Sequence, residues 1–233
     1  MSAKEIWLIA GGRSGGMKQM ADDFRAALAA AGKPNPAVAY IGAANNDNRA
    51  FFQMMKLPMV KAGAGSVTLA PIAGKKADAA KAKRILSGAD AVFLSGGEVE
   101  DGIAGLERAG LSGLLTELYH DGKLFIGASA GAIMMGRHWV HWDVEGDDGT
   151  SRLFPCLGFV PFVFDAHGEP EDWTELKCAL RLLGPGAEGY GLSAGGFFKA
   201  GESGAFTSFR NPPAVFRNSD GKIEDTSVDK SYK

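Results

Sequence analysis

The stretch Lys123–Leu124–Phe125–Ile126–Gly127–Ala128–Ser129–Ala130–Gly131–Ala132–Ile133 decides how the rest of the chain is read. A short apolar run, as in a buried strand, passes through Gly-x-Ser-x-Gly into residues that favour a helix. Two accounts fit. One is ordinary strand-to-helix packing in a glycine-rich chain. In the other, a strand delivers Ser129 to a sharp turn and the flanking glycines relieve the crowding. The N–H groups that follow then face the place where negative charge develops during acyl transfer. The second account carries a geometric expectation: Ser129 has a positive φ and unfavourable backbone angles.

Outward from this stretch, strand and helix patterns alternate. Glu5–Ala10 is short and apolar, a Gly11–Gly16 loop follows, and Met17, Met20, Phe24, Leu28 and Ala31 recur at helical spacing. Ala37–Ile41, Ser66–Ala70 and Ala91–Leu94 read as further strands. Helices are expected over Ala50–Lys61, where Pro58 should end or kink the helix, over Lys75–Leu86, and over Asp101–His120 with a break near Gly110. After Gly136 the pattern changes. His138–Asp143 alternates, Gly158–Phe164 is apolar, and Pro170–Leu183 reads as one helix with Glu171 and Asp172 in its first turn. Short strand-like pieces at Gly191–Ser193, Gly196–Ala200 and Ala214–Arg217 suggest an antiparallel edge. The expected fold is therefore α/β: a mostly parallel, doubly wound sheet with helices on both faces and a small antiparallel C-terminal edge. One domain over residues 1–233 is expected, with the last dozen residues a flexible tail.

Composition narrows the function classes. The chain has 233 residues, 45% of them apolar, and a formal charge of −2, so no overall field favours nucleic acid or an anionic membrane. No secretory segment or membrane span is apparent. Cys156 and Cys178 form no Cys-x-x-Cys pair and read as reduced thiols of a cytoplasmic protein. The Gly11–Gly16 loop lacks the glycine spacing of a dinucleotide site, and Met17 stands where a phosphate loop needs lysine, so a close strand-to-helix turn is the better account. His138 and His141 fall on opposite faces of an extended segment, and the acidic residues Asp143, Glu145, Asp147 and Asp148 miss the calcium-loop pattern. No metal and no cofactor is expected.

In open α/β sheets the binding crevice lies at the carboxyl ends of the strands. That rule gathers Gly11–Gly16, Gly42–Arg49, Ser95–Asp101 and Ser129 along one edge, and places Arg13, Arg49 and Glu98 as candidate substrate-binding residues. Serine catalysis also needs a base. Of the four histidines, only His167 stands at a strand-to-loop exit after the serine, where it is either a satisfied loop residue or the base for Ser129.

Phe93–Leu94–Ser95–Gly96–Gly97, Gly127–Ala128–Ser129–Ala130–Gly131–Ala132 and Asp165–Ala166–His167 together resemble, in order and spacing, the dipeptidase E and cyanophycinase family of serine peptidases. That family has the class I glutamine amidotransferase-like fold, and the resemblance spans roughly residues 5–200. It implies Ser129 as nucleophile, His167 as general base, and an oxyanion hole from the N–H groups of Gly97 and Ala130. The implied substrate is a small peptide or amide, aspartyl in the family, cleaved through an acyl-enzyme. The chain departs from the family pattern where an orienting acid is usual, since Ser193 and Ala194 stand there. Asp165, two residues from His167, is the nearest substitute. Glu169, Glu171 and Asp172 replace an arginine-rich helix start. The missing acid favours one alternative, a catalytically impaired member that binds a small ligand in the same crevice. Amidotransferase chemistry is disfavoured because it uses cysteine where this chain has Ser129. The oligomeric state is left open by the sequence.

Overall fold

The computed structural model describes residues 5–11, 16–144 and 146–227. The first half alternates as β1 (Glu5–Ile9), α1 (Gly16–Ala29), β2 (Ala37–Ile41), α2 (Arg49–Lys61), β3 (Ser66–Ala70), α3 (Ala79–Gly88), β4 (Ala91–Leu94), α4 (Val99–Arg108), α5 (Ser112–His120) and β5 (Leu124–Ala128). A single-turn helix, α6 (Ala130–Ile133), leads into β6 (His138–Trp142), β7 (Ser151–Pro155), β8 (Val163–Ala166) and α7 (Thr174–Leu183). The chain ends in β9 (Glu188–Leu192), β10 (Phe197–Gly201), β11 (Phe206–Arg210), β12 (Ala214–Ser219) and β13 (Lys222–Asp225).

The main sheet has seven strands in the order β11-β10-β1-β5-β4-β2-β3. β1, β5, β4, β2 and β3 run parallel, and β10 and β11 extend the β1 edge antiparallel. Strands buried on both faces need apolar residues at successive positions, which is why β4 reads Ala91–Val92–Phe93–Leu94 without a polar break. Side chains alternate between two cores. Trp7, Ile9, Tyr40, Phe93 and Ile126 pack with Phe24 of α1 and Phe52, Met55 and Met59 of α2. Ile6, Leu8, Ile41, Leu94 and Phe125 pack on the other face with Leu86 of α3, Leu106 of α4 and Tyr119 of α5. Connections that run outward along the sheet thus put their helices on one face and those that return put theirs on the other, as right-handed crossovers require.

A second sheet, β13-β12-β9-β8, and a hairpin of β6 and β7 complete the fold. Phe162, Phe164, Ala166 and Leu192, in and around β8 and β9, belong to the same buried cluster as the α3–α6 face of the main sheet. Among the described residues, no helix is long and apolar enough to cross a membrane.

Four expectations are corrected. The C-terminal strand pieces do not form one edge: β10 joins the main sheet, while β9 and β12 pair with each other in the second sheet and β9 also runs parallel to β8. The helix expected from Pro170 begins at Thr174, because Asp172 and Trp173 hold φ of 51° and 57°, outside helical values. The Trp173 indole, buried against Gly191, together with the Trp173 backbone N–H on the Gly168 carbonyl, fixes that irregular entry, so Glu171 and Asp172 precede the helix. Pro58 does not end α2, which continues to Lys61; the proline is buried in the last turn, and its own carbonyl accepts from Ala62. Finally, Lys222–Asp225 in the expected tail pair with β12, and residues 228–233 lie outside the described residues.

Backbone packing around Ser129 leaves no room for side chains. A Cβ on Gly131 would stand 2.1 Å from the Leu94 carbonyl oxygen, and one on Gly127 would stand 2.5 Å from the Gly131 carbonyl oxygen. Neither contact can relax without moving backbone. Gly131→Ala should therefore lower the urea midpoint by the equivalent of about 3 kcal/mol or more. Gly113→Ala, in α5 with open space at its Cβ, should be neutral or stabilising by up to about 1 kcal/mol. Equal effects of the two substitutions would refute this account of the turn.

Candidate active site

β5 ends at Ala128 in the middle of the main sheet, and the chain turns at once. Ser129 has φ 51° and ψ −123°, the positive φ expected of a strained turn. That combination lies outside the left-handed well, where ψ is near +45°, and costs a non-glycine residue about 1–3 kcal/mol. Its surroundings over-determine it. The Ser129 N–H donates to the Ile9 carbonyl at the end of β1, and the Ser129 carbonyl accepts from Ala132 and Ile133. Its Cβ lies 3.2 Å from where a Cβ on Gly96 would be and 3.7 Å from where one on Gly11 would be. Gly96 and Gly11, from two of the strand-end segments, thus lie against Ser129.

His167 reaches the same point from the second sheet. It directly follows β8, takes a left-handed φ of 50°, and is anchored by its N–H on the Leu192 carbonyl. Its Nε2 lies 2.8 Å from Ser129 Oγ. Which of the two donates depends on the imidazole tautomer; with Nε2 unprotonated, the hydroxyl donates to it. No hydrogen bond to His167 Nδ1 occurs among the described residues.

Gly97 follows β4 with φ 145°, and a Cβ on it would stand 2.0 Å from the Ala44 carbonyl oxygen, so only glycine fits. Asn45 holds this exit, donating from Nδ2 to Ser95 Oγ at 2.7 Å and to the Gly96 carbonyl at 2.8 Å. Among the described residues, no protein acceptor takes the N–H of Gly97 or of Ala130.

Two cavities meet at Gly97, Ser129 and His167. The first, about 480 Å³, is lined by Glu98, Glu100, Asp101, Asp165, Glu171 and Glu175, with Trp139 and Ile133. The second, about 440 Å³, is lined chiefly by Ile9, Met20, Phe51, Met54 and Met55, with Asn45 and Asn48 at its polar side. Glu98 therefore borders the crevice as expected. Arg49 begins α2, exposed, and is not part of either lining, although Asn48 and Phe51 beside it are. Arg13 lies outside the described residues.

Asp165 is 4% exposed. Its Oδ1 accepts from the Ala166 N–H at 2.6 Å, while Oδ2 is buried with no partner among the described residues. No hydrogen bond joins Asp165 to the His167 ring among those residues. Burial, with the Glu175 carboxylate next in weight, pushes the Asp165 carboxyl up to about 8. In the segment where the family's acid is usual, Ser193 Oγ donates to the Pro212 carbonyl, and the Ala194 N–H donates to Glu169 Oε1 at 2.7 Å.

Sequence reasoning did not single out Glu100, Asp101, Glu175 or Trp139. Glu100 and Asp101 lay within the Ser95–Asp101 strand exit, which was the available signal. Trp139 comes from the β6–β7 hairpin, and His141 of the same strand holds Glu100 through Nδ1 at 2.5 Å and Asp143 through Nε2 at 3.2 Å. Among the described residues no group of three or more His, Cys, Asp or Glu is arranged to hold a metal ion.

The model of peptidase family S51 matches residues 6–203. Among solved structures, a peptidase from an acI-B1 Actinobacterium superposes with a TM-score of 0.68 at 14% identity, covering 96% of this chain and 97% of that one. A putative peptidase E protein from Listeria monocytogenes EGD-e gives 0.64 at 18% identity, covering 94% and 100%. No curated protein sequence matches significantly.

The raised Asp165 carboxyl makes stability depend on pH. In the unfolded chain it ionises near 3.8, whereas in the fold it keeps its proton to about 8. Between those values the unfolded state binds fewer protons, so stability is lost as pH rises through that window. Asp165→Asn keeps the neutral form and the acceptor for Ala166. Its melting temperature should exceed that of the parent at pH 8, with the difference shrinking towards pH 4. A constant difference across that range would count against a protonated Asp165.

Proposed function

The chain belongs to peptidase family S51, and from that premise we propose that it is a serine hydrolase cleaving a small peptide through an acyl-enzyme. The observation that carries the reading is the 2.8 Å approach of His167 Nε2 to Ser129 Oγ, with Ser129 held at φ 51° at the mouth of both cavities. In this reading Ser129 Oγ attacks the scissile carbonyl while His167 Nε2 takes the hydroxyl proton. The carbonyl oxygen becomes an oxyanion between the N–H groups of Gly97 and Ala130. Those donors are fixed by the backbone, so they need no rearrangement as charge develops. Collapse of the intermediate breaks the C–N bond, and the amine leaves with the proton from His167. Water, deprotonated by His167, then hydrolyses the ester and restores Ser129.

Among the described residues no orienting acid reaches His167 Nδ1, and replacing that acid in the chymotrypsin-type triad costs about 10⁴-fold in kcat. Turnover should accordingly be slow for a serine peptidase, resting on the oxyanion donors and on substrate positioning. The same observation favours a second reading, a member that binds its ligand without turning it over.

A fluorophosphonate probe separates the two. Covalent labelling should map to Ser129, vanish in Ser129→Ala and fall at least about 10⁴-fold in rate in His167→Ala. Absence of labelling in the parent, with the fold intact by circular dichroism, would sink the hydrolase reading and leave the binding one.

A further inference from the structure

The two cavities beside Ser129 differ in chemistry, and the difference constrains what can lie across it. Among the described residues the first is lined by six carboxyl groups, from Glu98, Glu100, Asp101, Asp165, Glu171 and Glu175, and by no lysine or arginine. Glu98, Asp101, Glu171 and Glu175 make no ion pair among the described residues; Glu100 alone is engaged, by His141. A run of acids on a surface can be merely solvated, but this one closes over a buried group. Asp165 lines the cavity floor, 4% exposed, and its Oδ2 has no partner. Gly168, also in the lining, lies just above, since a Cβ there would stand 2.7 Å from Oδ2. A buried polar oxygen left without a partner is costly, and a polar group entering the cavity would relieve it.

We propose that the acidic cavity holds a positively charged group of the substrate, an ammonium or a guanidinium, while the remainder of the peptide crosses Ser129 towards the apolar cavity. This rests on the hydrolase reading for the position of the scissile bond and adds the chemical class that the site selects. A cation there meets several carboxylates, and its charge favours ionisation of Asp165, whose Oδ2 can then accept from it. The opposite cavity, with Met20, Met54 and Met55 beside Phe51 and Ile9, suits an aliphatic side chain and adapts to its shape. An aspartyl side chain is repelled by the acids of the first cavity, and among the described residues the lining of the second offers it no cation. The charge pattern of the first cavity therefore selects a cationic group there over an aspartyl one.

The charged group can be the peptide's own α-ammonium or a basic side chain, and the test distinguishes them. Binding to Ser129→Ala, where turnover cannot interfere, is measured by calorimetry for five amides. These are N-acetyl-Leu-Leu amide without charge, Leu-Leu amide with only the α-ammonium, N-acetyl-Arg-Leu and N-acetyl-Leu-Arg amides with only a side-chain cation, and N-acetyl-Asp-Leu amide. At least one cationic peptide should bind tenfold or more tightly than the uncharged one, and the aspartyl peptide should bind weakest. The tightest arm identifies the source of the charge. In a Glu171→Gln, Glu175→Gln background the ratio of cationic to uncharged affinity should fall several-fold. Raising the salt concentration should weaken the cationic peptides more than the neutral one. Cationic peptides that bind no more tightly than N-acetyl-Leu-Leu amide, or a ratio unmoved by the double substitution, would overturn the proposal. Labelling of the parent at Ser129 is scored independently. Labelling without cation preference removes this proposal alone, and cation preference without labelling removes the hydrolysis step alone.

Discussion

Everything at the site depends on one backbone contact. The turn after β5 lies so close to the end of β4 that a Cβ on Gly131 would overlap the Leu94 carbonyl, and Gly127 faces the Gly131 carbonyl just as tightly. This close approach lets the chain reverse within one residue of the strand and hold Ser129 at a backbone conformation a free chain avoids. The main sheet supports the strain from three sides: Ile9 of β1 takes the Ser129 N–H, Gly96 lies against its Cβ, and α6 begins directly behind it. A softer scaffold would let the turn relax and bury the hydroxyl.

The second requirement is that two sheets keep their relative placement. Ser129 belongs to the main sheet and His167 to the end of β8 in the second, so their hydrogen bond is a contact between layers. The shared core secures it. Phe164 and Ala166 of β8 and Leu192 of β9 pack with residues of α4, α5 and α6, and the His167 N–H is tied to Leu192. Because the core is close-packed, a small shift of the second sheet would disturb many contacts before it moved the histidine.

Electrostatics then divides the crevice. Acids come from the N-cap and first turn of α4, from β8, and from the irregular entry and first turn of α7, three separate segments that share no local sequence logic. The entry to α7 is irregular because Asp172 and Trp173 sit at positive φ, and this departure from a regular helix keeps Glu171 outside α7 while it faces the cavity. Burial, with the neighbouring carboxylate of Glu175 next in weight, pushes the Asp165 carboxyl up to about 8. On the other side of Ser129, α1 contributes Met20, which the helical spacing marks in the sequence, and α2 contributes Met54 and Met55, of which Met54 is 46% exposed.

The sequence by itself determined the parallel sheet, the positions of β1 to β5 and the sharp turn at Ser129, because each is written in local signals. Unbroken apolar runs mark strands buried on both faces, the 3.6-residue period marks the helices over them, and Gly-x-Ser-x-Gly marks a turn too crowded for side chains. His167 was legible as a candidate only through its place at a strand exit. Tertiary structure decided the rest. Whether β9, β10 and β12 formed one edge or two depended on long-range pairing, for which short strands broken by Gly, Pro and Asn carry no register information of their own. The start of α7 depended on where the Trp173 ring could be buried. The acidic cavity depended on bringing Glu98, Asp165 and Glu175 together from distant segments. Charge at a site is a sum over neighbours in space, and a chain read one residue at a time contains the addends without their positions.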